Sequence, residues 1–170
     1  VGPGPDRRGL LHHRRLRLVQ PGHGRARDRS RSGRVDVMLA GGADELHVAA
    51  AITCEVMGGG STHFADTPHR TPRPFDAARD GIVVGEGAGV LVLEEREHAL
   101  ARGATILAEV LGYGGASDAV NMAHPASDGM QTAIRLALAD AGIEADEVDY
   151  VSAHATGTPI GDAAEADALH

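Results

Sequence analysis

The stretch VSAHATGTPIGD, from Val151 to Asp162, gathers the groups in this 170-residue chain best suited to chemistry. A short apolar run ends in His154, a side chain that can take up or release a proton near neutral pH. Thr156 and Thr158 are spaced by two, so in an extended loop their hydroxyls face one side. There each could donate to and accept from an amide-bearing ligand. Asp162 and Glu165 fall in the first turns of a helix predicted over Pro159 to Leu169, where proline is tolerated and the dipole favours carboxylates. If the run before it is a strand, His154 stands at the strand's carboxyl end, in the crevice where α/β folds bind ligands. A histidine hydrogen-bonded within a turn fits the same pattern, and the residues alone leave both readings open.

The other reactive groups are less well placed. Cys54, the only cysteine, lies in AITCEVM and reads as a small buried apolar residue. A single cysteine excludes an internal disulfide framework and points to a cytoplasmic setting. His47, His63, His69, His98 and His124 have no metal-ligand spacing, so no metal site is expected. GEGAG (Gly85–Gly89) is G-x-G-x-G followed by a strand, not the G-x-G-x-x-G and helix of a dinucleotide site. Close backbone packing at a strand bend explains it better.

Strands and helices alternate from Val35 onward, which argues a layered α/β protein. VDVMLAGG reads as a strand closed by its turn, and Glu45–Met57 as a helix. The segment GGGSTHFADTPHRTPRPFDAARDG is a long irregular loop, of a length that usually carries function or an interface. IVVGEGAGVLVLEE contains two apolar runs, the second a good strand, and EEREHALARGA is a short helix stopped by Gly103. TILAEVLGYGGAS is another strand. Asp128 is expected to cap a helix with Met130, Ala133, Ile134, Ala137, Leu138 and Ala141 on one face and Gly142 as its stop. VDYVSAH is read as the strand that delivers His154. No run approaches the roughly 20 apolar residues of a membrane span, and no signal peptide is visible.

RPFDAARDGIVVGEGAGVLVLEEREHALARGA followed by SAHATGTPIGDAAEADAL resembles the β-ketoacyl-acyl carrier protein synthases, the condensing enzymes of fatty acid and polyketide assembly. The similarity runs from about Ser32 to the C-terminus. It implies the thiolase-like fold, two α/β halves in an αβαβα sandwich. Residues 32–103 would be the end of the N-terminal half and residues 104–170 the start of the C-terminal half. It also implies decarboxylative Claisen condensation of malonyl-carrier protein with an acyl thioester held on cysteine. By resemblance His154 is the first of two catalytic histidines, its Nε2 hydrogen-bonding the malonyl thioester carbonyl. Thr156 and Thr158 match the pair that contacts the phosphopantetheine arm. Ala155 departs from the usual glycine after this histidine. The implied partner is acyl carrier protein, in a homodimer or ketosynthase heterodimer, with no cofactor beyond the carrier's phosphopantetheine and no membrane or nucleic-acid partner. The family's second histidine would lie beyond His170. Its nucleophile belongs before VDVMLAGG at a helix start, where the dipole lowers a thiol's pKa. Cys54 comes after that strand and is not the nucleophile.

Residues 1–34 stand apart. They carry ten arginines against Asp6 and Asp28, a charge of +8, while the rest of the chain carries −16. All 16 basic residues are arginine, as expected of a coding sequence rich in G and C. The first 31 residues lack apolar periodicity and are expected to be disordered or frame-shifted. Written in mostly GC-rich codons and shifted by one base, His12 to Gly22 spell Thr-Thr-Ala-Ala-Cys-Ala-Ser-Ser-Asn-Gln. That resembles the nucleophile motif of the condensing enzymes, with its cysteine straddling codons 16 and 17. Two other function classes remain: a chain-length-factor-like or decarboxylase-like paralogue that naturally lacks the cysteine, and a basic-armed binding module on the same scaffold, whose hallmark would be salt-sensitive DNA retention.

Overall fold

A computed structural model describes residues 15–16, 21–119 and 124–170. In chain order the elements are strand β1 (Arg15–Leu16), helix α1 (Pro21–Arg31), strand β2 (Val37–Asp44), helix α2 (Val48–Val56), strand β3 (Gly87–Glu94), helix α3 (Arg96–Ala101), strand β4 (Glu109–Val110), helix α4 (Ser127–Ala141) and helix α5 (Pro159–Leu169). Single 3₁₀ turns lie at Pro68–Arg70 and Ala145–Glu147.

Strands β2 and β3 pair antiparallel, with Leu39 opposite Val92, Ala40 opposite Leu91 and Gly42 opposite Gly89. Successive side chains alternate between the faces of a strand. Val37, Leu39, Val90 and Val92 therefore share one face, and all four are exposed. Ala40 is buried on the other face, and α1 packs against β2. The two glycines of VDVMLAGG, expected to turn the chain, instead continue β2 to Asp44. Gly41 serves a close approach of two backbones, since a Cβ there would overlap the carbonyl oxygen of Gly89, whereas a Cβ on Gly42 would meet nothing within 4 Å. The glycines of GEGAG do not show the close packing at a strand bend expected of them: a Cβ on Gly85, Gly87 or Gly89 would meet nothing within 4 Å, and Gly87 and Gly89 lie within β3.

Helix α1 corrects the expectation for residues 1–31. Residues 21–31 are helical despite their arginines, because the helix is held by tertiary contacts that composition does not register. Ala26 is buried. Arg27 donates through Nη1 to Asp140 Oδ2 at 2.6 Å and through Nη2 to the Leu111 carbonyl at 2.6 Å. Asp140 also accepts from Tyr113 N–H at 2.9 Å and from Arg31 at 3.3 Å. The Tyr113 N–H and the Arg27 guanidinium hold the Asp140 carboxyl below its ordinary range. The remainder of the expected disordered segment lies outside the described residues, apart from β1, which pairs parallel with β4.

Helix α2 spans Val48–Val56, with the ring of His47 accepting from Ala49 N–H as its N-cap. Helix α3 is capped by Glu95 and followed by Gly103 at φ +71°. Its charges form a surface cluster in which Glu94 accepts from Arg102 and His98, and these two hold the Glu94 carboxyl down to about 2. On α4 the residues Met130, Ala133, Ile134, Ala137, Leu138 and Ala141 are all part-buried while Asp128, Thr132, Arg135 and Leu136 are exposed. Helix α4 packs on α5 and ends at Gly142 with φ +65°. Asp128 does not cap α4. The N-cap position is Ala126, which makes no side-chain cap bond; its N–H donates to Asp118 Oδ2 at 2.8 Å.

Of two further expected strands, one is realised in part and the other not at all. TILAEVLGYGGAS forms a ladder only at Glu109–Val110, and VDYVSAH forms none. An apolar run becomes a strand only where a neighbour supplies ladder partners, and none lies beside VDYVSAH among the described residues. Tyr150 is 79% exposed there.

Candidate active site

The segment from His154 to Thr158 is fixed almost entirely through its backbone. Thr158 is the N-cap of α5, its hydroxyl accepting from Gly161 N–H at 3.0 Å, and Pro159 occupies the first turn as predicted. Two carboxylates on the first turns of α5 reach back over the loop. Glu165 accepts from the N–H of His154 at 2.6 Å with one oxygen and from Ala155 N–H at 2.8 Å with the other. Asp162 accepts from Gly157 N–H at 2.9 Å and from Phe75 N–H at 2.7 Å.

Asp162 is 1% exposed, the most buried charged group among the described residues. Burial of a carboxylate is tolerated only when hydrogen bonds and a counter-charge compensate it. Its two N–H donors do part of this, and Arg79 does the rest with Nε 3.6 Å from Asp162 Oδ2. The same guanidinium donates to the carbonyls of Thr158 at 3.2 Å, Pro159 at 2.8 Å and Asp76 at 3.0 Å. Arg79 thus satisfies carbonyls on both sides of the contact.

Glycine is required at position 157 on two counts. Its φ is +78°, and a Cβ there would come within 2.9 Å of the Gly81 carbonyl oxygen. Ala155 and Phe75 hold left-handed conformations without glycine's freedom, at φ +48° and +59°. The N–H of each is one of the four that the α5 carboxylates accept. Four backbone bonds therefore hold two unfavourable residues in place.

This platform carries the three expected site residues. The Thr156 and Thr158 hydroxyls meet at 3.0 Å across Gly157 at φ +78°, in a kinked loop and not the extended one their spacing assumed, and His154 is exposed. An anchored backbone carrying an exposed histidine can present a hydrogen-bond donor to a ligand with little reorganisation. Cys54 is not part of this group. It lies in the second turn of α2, part-buried, away from any helix start.

Reading from residue types missed Phe75 and Arg79. Both sit in RPFDAARDG, and nothing in their types announced a link to α5. The signal available was the length of the 58–81 loop, which is partly pinned by Asp80. That carboxylate accepts from the Ser61 hydroxyl at 2.7 Å and from the N–H groups of Thr62 and His63, both at 2.8 Å.

The elements and the loop at the start of α5 define a mixed α/β protein whose candidate site lies at a chain-to-helix junction. The family model described as Beta-ketoacyl synthase, N-terminal domain matches residues 24–99, and that described as Beta-ketoacyl synthase, C-terminal domain matches residues 107–170. The chain belongs to the β-ketoacyl synthase family, and its fold is a part of the thiolase-like fold. Nodulation protein E of Rhizobium meliloti is 49% identical over 142 residues, which cover 84% of this chain and 34% of that protein. A β-ketoacyl synthase from Burkholderia phymatum STM815 superposes with a TM-score of 0.84 at 50% identity, covering 86% of this chain and 36% of the other. The AntDE:AntF structure, described as a type II PKS acyl-carrier protein in complex with its ketosynthase, gives 0.83 at 38% identity over 86% of this chain and 37% of that one. The chain spans about a third of the length of the proteins it matches.

Proposed function

We propose that this chain is part of a 3-oxoacyl-acyl carrier protein synthase. Its His154 would donate a hydrogen bond to the thioester carbonyl of a malonyl group during decarboxylative condensation. Thr156 and Thr158 would contact the phosphopantetheine arm, acyl carrier protein would deliver both substrates, and no further cofactor enters. The observation that carries the reading is the 154–158 loop, in which an exposed histidine stands on a backbone fixed at His154, Ala155 and Gly157. Negative charge grows on the thioester oxygen as CO2 leaves, and a donor already in place stabilises that charge without reorganising. The cytoplasm is the setting this chemistry and the single cysteine favour.

Cys54 does not supply the family's nucleophilic thiol, and we place the codon for that thiol across positions 16 and 17. Two features support this. The family match runs in frame from Gly24, and Ala26 and Arg27 are built into the packing, so a disturbed frame would end upstream of them. Position 16 closes β1, just ahead of α1, the strand-to-helix setting a nucleophilic thiol needs. The engagement of Arg27 with Asp140 counts against a free basic arm for nucleic acid. The leucine at position 16 favours a natural paralogue lacking cysteine.

Two measurements test the reading. Sequencing of codons 5–32 should reveal compensating frame changes that restore a cysteine codon; an undisturbed frame favours the paralogue. In the full-length protein with the frame restored, His154→Ala should leave acylation of the cysteine intact. It should slow CO2 release from malonyl-carrier protein by about 10²–10³, roughly 3–4 kcal/mol. Loss of acylation with decarboxylation preserved is the contrary result.

A further inference from the structure

We propose that Glu165 is a positioning residue that holds Ala155 in its left-handed conformation and so sets the direction from which His154 leaves the backbone. Ala155 has φ +48°, a region that disfavours an L-residue with a Cβ by roughly five- to thirtyfold in population. Something must hold it there. The N–H groups of His154 and Ala155 converge on the two oxygens of one carboxylate, at 2.6 and 2.8 Å. Successive N–H groups that converge in this way form a concave anion site, and here the anion is supplied by the chain itself, eleven residues on. If Ala155 relaxed to negative φ, its N–H would leave Glu165 and the peptide planes flanking His154 would rotate. Asp162 performs the neighbouring task at Gly157 and Phe75, so the two carboxylates of α5 divide the loop between them. The inference rests on the proposed function only for its consequence at His154; the wiring itself is independent of any activity.

The test is amide hydrogen exchange by NMR on the 170-residue chain. Glu165→Gln, whose amide retains one acceptor oxygen, should lower protection at His154 and Ala155 by at least tenfold and leave Phe75 and Gly157 within twofold. Asp162→Asn should give the reverse pattern. Adding Ala155→Gly to Glu165→Gln should recover at least fivefold of the lost protection, because glycine adopts positive φ without penalty. Ala155→Val tolerates positive φ less well still, and should reproduce the two-residue loss with Glu165 intact. The proposal is overturned if Glu165→Gln loosens all four amides together, if it loosens none, or if glycine recovers nothing. In the frame-restored full-length protein, Glu165→Gln should lower kcat for malonyl decarboxylation about tenfold, with KM for the carrier protein within twofold, and Ala155→Gly should restore kcat. If decarboxylation proves indifferent to His154→Ala while the amide pattern holds, the functional reading has failed and the positioning has not.

Discussion

Replacing Asp140 by alanine should loosen α1 from the rest of the molecule, and its cost follows from three bonds. The Asp140 carboxylate accepts from the guanidinium of Arg27 at 2.6 Å, from Tyr113 N–H at 2.9 Å and from Arg31 at 3.3 Å. The Arg27 side chain is only 13% exposed, so it cannot simply turn to water, whereas Arg31 at 66% can. Hydrogen bonds to charged groups are worth about 1.5–3 kcal/mol. Asp140 itself is 32% exposed, and solvent screening places its contribution at the low end. Taking about 2 kcal/mol for Arg27, about 1 for Tyr113 and nothing for Arg31 gives a loss of about 3 kcal/mol. For a chain of this size that lowers Tm by roughly 6–12 °C. Calorimetry of Asp140→Ala, Arg27→Ala and the double variant should show a coupling of about 1–2 kcal/mol between the pair. The effect also has a pH signature. The Asp140 carboxyl is depressed in the folded chain, so its contribution is complete above the ordinary aspartate value of 3.8 and fades as pH falls through the lower folded value. The Tm gap between the native chain and Asp140→Asn should therefore close in acid. A fall of less than about 2 °C for Asp140→Ala, or strict additivity in the cycle, would mean that α1 is held by something other than this pair.

The Glu94 carboxyl sits at about 2 against an ordinary 4.5, so its support for α3 should persist as pH drops to the mid-fours and vanish toward 2. Amide exchange within Arg96–Ala101 should rise over that interval, while Glu94→Gln should be insensitive to it; matching profiles would dismiss the cluster as a brace. Gly157→Ala should cost about 1–3 kcal/mol through its positive φ and the approach to Gly81, read by chemical denaturation, and an unchanged midpoint would contradict the geometry. Incubated with a labelled acyl thioester, the 170-residue chain should form no adduct on Cys54; stoichiometric labelling by mass spectrometry would reopen its assignment.

What could be read in advance was whatever depends on neighbours in sequence. The α4 stripe from Met130 to Ala141, the Gly142 stop and the start of α5 at Pro159 follow from helical spacing and terminal chemistry, and the structure has them. What escaped depends on partners far along the chain. VDYVSAH has the composition of a strand and lacks the neighbour that would make it one. PGHGRARDRSR has the composition of a disordered arm and becomes a helix because Asp140, more than a hundred residues away, accepts from Arg27. Asp162 and Glu165 were legible as carboxylates suited to a helix start. That they would accept backbone N–H groups of a preceding loop could not be seen, since Phe75, the partner of one of them, lies 87 residues upstream.

The ties that cross between the two matched domain regions bear on how such proteins can be recombined. The matches stop at residue 99 and resume at 107, which invites a chimera cut between them. Two groups of bonds would be severed by exchanging one side alone. Arg27 answers to Asp140 and the Leu111 carbonyl, while Phe75 and Arg79 answer to Asp162, Thr158 and Pro159. The second group is the more demanding, because a donor sequence with a shifted 71–80 loop would leave a fully buried carboxylate facing the wrong backbone. A hybrid that transplants Thr71–Asp80 together with the segment after residue 107 keeps that correspondence, although the two pieces are not contiguous. The natural crossover unit is thus a spatial set of residues and not a stretch of gene.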